Sequence, residues 1–162
     1  MRYKAAIITI SDKGSCGERI DTSGPALRDM LKDEFDLGEI IIIPDEVDII
    51  ADTIRHQVDQ LSTDLIITNG GTGLSKRDVT PEATRMVIEK DLPGFAEVMR
   101  AESYKITPTA VISRAICGIR KESIIINLPG SPKAATECLG FIKSALPHAL
   151  EKLKGNTADC AR

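Results

Sequence analysis

Four short runs rich in β-branched residues, AAIITI (5–10), IIII (40–43), DLIIT (64–68) and SIIINL (123–128), are separated along the chain by stretches of helical spacing. A strand with one face in water alternates apolar and polar residues, whereas a strand covered on both faces reads as a continuous apolar run. Alternation of such runs with helices predicts βαβ units, and hence a single three-layer α/β/α domain with a mostly parallel central sheet. The expected strands are Tyr3 to Ile10, Glu39 to Ile43, Asp64 to Thr68 and Ser123 to Leu128, with AAIITI, IIII and SIIINL in central positions. Helical spacing predicts helices over Pro25 to Phe35, Val47 to Leu61, Pro81 to Lys90, Phe95 to Ser103 and Pro132 to Leu153. The segment TPTAVISRAICGIRK reads as an excursion of short strands before the last buried strand. Gly155 is a helix-stop signal, so the domain is expected to span 1–155 and 156–162 to form a flexible tail.

Composition narrows the partners. The 162 residues are 42% hydrophobic, enough for one sizeable core, and the formal charge of -3 argues against nucleic acid as the main partner. Cys16, Cys117, Cys138 and Cys160 form no CxxC pair, and His56 and His148 match no zinc spacing. The apolar run before Ser11 and Asp12 is too short for a signal peptide or a membrane span, so a reduced cytoplasmic protein off the membrane is expected.

In open α/β sheets ligands bind beyond the carboxyl ends of the strands. Four polar segments occupy those positions: SDKGSCGERIDTSGP, PDE, NGGTGLSKRDVTPEA and PGSPK. Each alone is an ordinary connection rich in turn-forming residues; four on one rim point to a pocket for a polar ligand. In the third, Asn69, Gly70, Gly71 and Gly73 tolerate positive φ and let backbone N–H groups converge on an oxyanion. Thr80, Pro81 and Glu82 read as N-cap, first helical residue and acidic first turn. Lys76 and Arg77 can add positive charge. The spacing matches neither G-x-x-x-x-G-K-[ST] nor GxGxxG, which excludes a Walker-type ATPase and a dinucleotide site. Asp45 and Asp78 come from neighbouring crossovers and suit Mg²⁺, which takes one or two carboxylates beside phosphate oxygens. Each is equally well read as a turn or cap acid, and spacing alone does not prefer Asp45 to Asp48. In LPGSPKA, Ser131 can cap a helix, with Pro132 at its first position and Lys133 facing an anion.

Taken together, TISD, IPDE, GGTGLSKRDVTPEAT, PGFAEVMRAES and SRAICGIRKESIIINLPGSPKA resemble the molybdopterin adenylyltransferase family, the MogA type of the MoaB/Mog fold that also forms the G domains of plant and animal molybdenum-cofactor proteins. The likeness runs from about Arg2 to Gly155, and RDVTPEAT and NLPGSPK are closer to the MogA than to the MoaB pattern. It implies a homotrimer that uses Mg²⁺ and ATP to convert molybdopterin into its adenylyl derivative and pyrophosphate, and a partner that then inserts molybdenum. The essential acids of the family fall on Asp45 and Asp78, with Mg²⁺ held by Asp78 or Asp45. Nucleotide and molybdopterin contacts fall on Gly70, Gly71, Thr72, Gly73, Thr80, Ser113, Arg114, Asn127, Pro129, Gly130, Ser131 and Lys133, with Ser11 and Asp12 from the first loop. The nucleophile in such a transfer is a phosphate oxygen already ionised at neutral pH, so no histidine base is needed. A molybdopterin carrier or scaffold without adenylyl transfer is the alternative reading.

Overall fold

In the computed structural model, which describes residues 2–155, seven strands form one sheet. Its centre is β1 (Tyr3–Ile10), which runs into the one-turn helix α1 (Asp12–Ser15), with β4 (Leu65–Asn69) and β7 (Ser123–Leu128); the three strands are parallel, Ala5 beside Leu65 and Leu65 beside Ile124. Outside β1 the edge is made in two pieces, β2 (Phe35–Leu37) along its first half and β3 (Ile41–Ile43) along its second, both parallel to it. Outside β7, β6 (Cys117–Arg120) and β5 (Lys90–Asp91) are added antiparallel.

The continuous runs are explained by two cores, one on each face. Ala5, Ile7, Leu65, Ile67, Ile124, Ile126 and Leu128 pack against Leu27 and Leu31 of α2 (Ser23–Leu31), Ala96 and Met99 of α5 (Pro93–Ile106), Leu139 and Ile142 of α6 (Pro132–Ile142), and Leu146 and Leu150 of α7 (Leu146–Leu153). The intervening Ile8, Ile10, Ile66 and Ile125 pack against Ile50, Ile54 and Val58 of α3 (Val47–Asp59) and Ala83 of α4 (Thr80–Arg85). Period-two geometry sends alternate side chains to opposite faces, and both faces are covered. The three-layer α/β/α architecture is as expected.

Several boundaries differ for identifiable reasons. IIII is not a central strand: only Ile41–Ile43 is extended, at the sheet edge, and Ile42 is 38% exposed. The helix expected over Pro25 to Phe35 ends at Leu31, because Phe35 enters β2 and buries its ring. The helix expected to reach Lys90 stops at Arg85, since Lys90 and Asp91 pair with β6. The long final helix is broken by a 3₁₀ turn, Lys143–Ala145, and restarts with Pro147 in its first turn, where a missing N–H costs nothing. The TPTAVISRAICGIRK excursion contains one strand, β6, preceded by a 3₁₀ helix, Pro108–Ile112. The tail expected at 156–162 lies outside the described residues.

Ile67 sits fully buried in the middle strand. Ile67→Ala is expected to lower unfolding free energy by about 2–5 kcal/mol, as for other large-to-small core substitutions. Urea unfolding measures this as a lower midpoint at unchanged slope; an unchanged midpoint would contradict the assigned core.

Candidate active site

Because β1, β4 and β7 run parallel, their carboxyl ends and the connections that leave them share one rim. Two cavities open there. One, of about 480 Å³, is lined by Thr9, Ser11, Asp21, Ser23, Asp45, Asn69 and Gly70 among others. The second, of about 430 Å³, lies between α5 and the first half of α6 and is lined by Thr72, Gly73, Met99, Arg100, Ser113 and Pro129 among others. Gly71, Asp78, Gly130 and Ser131 line both, so the two cavities meet at Asp78 and the two glycine turns.

The glycine turn after β4 is shaped by its backbone. Gly70 has φ 99° and Gly71 φ 67°, in the region L side chains rarely adopt. A Cβ on Gly70 would overlap the Ile10 carbonyl oxygen, and one on Gly71 the Thr80 hydroxyl. Gly130 is close packed but less tightly, with a Cβ there 3.2 Å from the Gly70 Cα. Beneath the turn the core changes from apolar to hydrogen-bonded. Thr80 does not serve as the N-cap: that position is Val79, and the Thr80 hydroxyl donates to the Gly70 carbonyl at 2.9 Å. Thr84 donates to Thr80 O at 2.8 Å, and the Asn127 amide donates to Thr68 Oγ1 at 3.0 Å and Thr84 Oγ1 at 2.9 Å. Asn127 Oδ1 accepts from Ile116 N at 3.3 Å, so this amide is wholly buried and engaged within the protein.

The carboxylates are held by backbone. Asp45 Oδ2 accepts from Asp12 N at 2.8 Å, while Asp45 N donates to Asp12 Oδ1 at 3.0 Å. Asp78 Oδ2 accepts from Ser75 N at 2.9 Å. Asp48 stands in the first turn of α3, exposed and outside both cavities, whereas Asp45 lines the first. Burial raises the pKa of Asp45 above the usual carboxylate range; the Asp12 N–H opposes this, and the charges of Asp12 and Asp78 add to it. Asp12 is pulled the other way, chiefly by hydrogen bonds from Arg77.

Neither of the expected loop cations lines a cavity. Arg77 donates to both Asp12 oxygens, at 3.0 and 2.9 Å, and to Glu46 at 2.8 Å, fastening the glycine loop to the connections after β1 and β3. Lys76 and Lys133 are exposed and line neither cavity. Arg114 is a clamp as well: it donates to Gly73 O and Asp78 O and pairs with Glu82, whose carboxyl it holds below its ordinary range. The cations that line the cavities are Arg19 in the first and Arg100 in the second, and sequence reasoning named neither. Thr9, Asp21 and Ser23 were missed too, and Asn69 was read for its backbone alone; Thr9 was visible as the single hydroxyl inside a buried run, and Asp21-x-Ser-Gly as a helix-start pattern. Ser131 caps α6 as expected, accepting from Ala134 N at 3.2 Å. Cys117 and Cys138 are buried, and burial raises both thiols, Cys117 to about 12, which fits inert cysteines.

Two carboxylates on a shared cavity fit a divalent cation that also binds phosphate. Among the described residues the hydrogen bonds of Asp45 and Asp78 engage one oxygen of each, leaving the other for a ligand. No group of three or more His, Cys, Asp or Glu converges among those residues, so a cation here would complete its shell from substrate and water.

The profile of the family described as "Probable molybdopterin binding domain" matches residues 6–148. A molybdopterin adenylyltransferase of Helicobacter pylori J99 is 43% identical over 154 residues, 93% of this chain and 87% of that protein. The molybdopterin adenylyltransferase of Escherichia coli K12 is 38% identical over 174 residues, covering 98% and 89%. Among solved structures, the molybdopterin biosynthesis enzyme MoaB of Thermus thermophilus superposes with a TM-score of 0.89 at 45% identity, covering 94% of this chain and 97% of that one. The Mog protein of Mycobacterium ulcerans gives 0.87 at 34% identity, covering 93% and 99%.

The raised pKa of Asp45 has a consequence for stability. A carboxyl whose folded pKa exceeds its unfolded one favours the fold while protonated, and that contribution is lost as pH rises through the folded value. Asp45→Asn keeps an acceptor for the Asp12 N–H, so it is expected to raise the thermal midpoint at neutral pH. The gain should vanish as pH falls below about 4, where the parent carboxyl is protonated in both states. Thermal melts of both proteins across this range decide it, and a gap that does not narrow with falling pH refutes it.

Proposed function

This chain belongs to the molybdopterin adenylyltransferase family, and we propose that it acts in molybdenum cofactor biosynthesis by transferring AMP from ATP to molybdopterin. The observation that carries this reading is the pair of cavities meeting at Gly71, Asp78, Gly130 and Ser131. Transfer of AMP to a phosphate of molybdopterin requires two phosphorylated substrates whose phosphates meet, and two chambers with one shared wall fit that arrangement.

In the reaction, a terminal phosphate oxygen of molybdopterin attacks the α-phosphorus of ATP. The bond to the bridging oxygen breaks, and pyrophosphate leaves with its electron pair. No proton has to be removed from the nucleophile. The obstacle is repulsion between anions, about 1 kcal/mol per unit pair at 4 Å in water and about 4 at an effective dielectric near 20. Arg19 and Arg100 each bring a positive charge to one chamber. The glycine turns bring backbone close to the shared wall without side-chain bulk. Asp78 and Asp45 would hold Mg²⁺, which when bound neutralises phosphate charge. Their own oxygens are fixed by the N–H groups of Ser75 and Asp12, so little reorganisation is needed on binding.

A cytoplasmic homotrimer that hands its product to a molybdenum insertase completes the proposal. No helix among the described residues is long and apolar enough to cross a membrane. Tyr104 and Ile106 at the end of α5, with Val111 and Ile112 in the following 3₁₀ helix, are each at least half exposed and offer an apolar face for self-association. Sedimentation velocity is expected to give one species of three chains, and a monomer at micromolar concentration would count against it.

The activity is tested by mixing protein, molybdopterin, ATP and Mg²⁺ and assaying adenylyl-molybdopterin and pyrophosphate. Asp78→Asn is expected to lower kcat by about 10²–10³-fold, the range seen on removing one electrostatic group from an active site. Parental activity in that variant would remove Asp78 from the mechanism. Binding of molybdopterin without product would favour the carrier, and neither binding nor product the scaffold.

A further inference from the structure

The first cavity contains a hydrogen-bonded chain whose direction is set by chemistry. Asp21 Oδ1 accepts from the N–H groups of Ser23, at 3.1 Å, and Gly24, at 3.0 Å, at the start of α2. Its other oxygen lies 2.8 Å from the Thr9 hydroxyl. A carboxylate only accepts, so the single Thr9 hydroxyl proton is committed to Asp21. Thr9 Oγ1 can then only accept from its neighbour on the adjacent strand, Asn69, whose Nδ2 stands 3.1 Å away. This fixes the Asn69 amide with nitrogen toward Thr9, and exchanging its two ends would set an acceptor against an oxygen that has no proton left.

The consequence is that Asn69 Oδ1 has no partner. Among the described residues it is the buried side-chain atom left without one, on a residue 1% exposed that lines the cavity wall beside the glycine turn. An unmet buried acceptor opposes folding, and a fold that orients the amide so firmly keeps that cost in place. Resting on the reading that this cavity takes one of the two substrates, the geometry points to Asn69 as a specificity-determining residue, its Oδ1 accepting a hydrogen bond from an amino-substituted aromatic heterocycle. That chemistry has two sources in the reaction, the 6-amino group of adenine and the 2-amino group of a pterin. Asp21 and Thr9 act as positioning residues that hold the amide in its accepting orientation. The Asn69 side chain has no part in moving charge, so it governs binding preference and not the chemical step.

Calorimetric titration without turnover tests this with two ligand pairs: Mg-ATP against the triphosphate of purine riboside, which lacks the amino group, and a soluble pterin against lumazine, which carries oxygen in its place. The parent protein is expected to prefer the amino ligand in one pair, and Asn69→Leu to reduce that preference about 3- to 10-fold, leaving the other pair unchanged. The pair affected identifies the source. Thr9→Val, which leaves the amide free to turn, is expected to give a smaller loss in the same pair, and it serves if the leucine variant does not fold. Unaltered preferences in folded Asn69→Leu, with or without a higher thermal midpoint, overturn the inference and make Oδ1 a purely structural orphan; so does a parent that prefers neither amino ligand. An amide-dependent preference in a parent protein that forms no adenylyl product sustains Asn69 while removing adenylyl transfer, so the two failures are distinct.

Discussion

Parallel pairing of β1, β4 and β7 is the constraint on which the site depends. Parallel direction sends the connections that leave these three strands out from one edge of the sheet. Register then sets who meets whom. Thr9 lies beside Asn69, and Thr68 beside Asn127, so the last polar positions of three strands fall in line at the point where the apolar core stops. On one face these become the wall of a cavity; on the other they become the support of the glycine turn.

The charges at this rim are divided between holding the protein and facing ligand. Arg77 and Arg114, both prominent in the sequence, direct their donors to the loops themselves: one ties the glycine loop to Asp12 and Glu46, the other to Gly73, Asp78 and Glu82. A loop carrying three glycines loses much conformational entropy on ordering, and such multidentate anchors offset it. Asp45 carries the opposite tension. It is kept partly buried near two like charges, a placement that opposes its ionisation in the free protein and that a bound cation would relieve.

The sheet and both cores were legible because covered strands and amphipathic helices leave periodic signals. IIII misled because four isoleucines look central whether one face or two is covered; its edge position follows from β2 taking the other half of the same β1 edge, a pairing that no local pattern announces. The stop at Arg85 was similarly hidden, since it is imposed by pairing of Lys90 and Asp91 with a strand some thirty residues onward. Within the site, glycines and acids stood out in the sequence because turns and metals demand those residue types. The bonds of Thr80, Arg77, Arg114 and Asn127 within the protein did not: a hydroxyl that can cap, a guanidinium that can meet phosphate and an amide that can meet a base are equally able to bond the protein itself, and no local pattern announces which partners they take.

The bonds under the glycine turn follow from what glycine lacks. A turn without side chains cannot be held by packing, so its position must be set by its carbonyls and by what lies below. Thr80 pins Gly70 O, Thr84 pins Thr80 O, and Asn127 joins Thr84 to Thr68 on the neighbouring strand. Each member is buried, and in a medium of low dielectric a completed chain is rigid while a broken one is costly. Rigidity is what electrostatic catalysis requires, since donors aimed in advance at developing charge need not reorganise when it appears. An apolar core under the same turn would be easier to desolvate, yet it would leave the turn's orientation undetermined. The polar set Thr68, Thr80, Thr84 and Asn127 at this one level of the core thus serves to fix the turn.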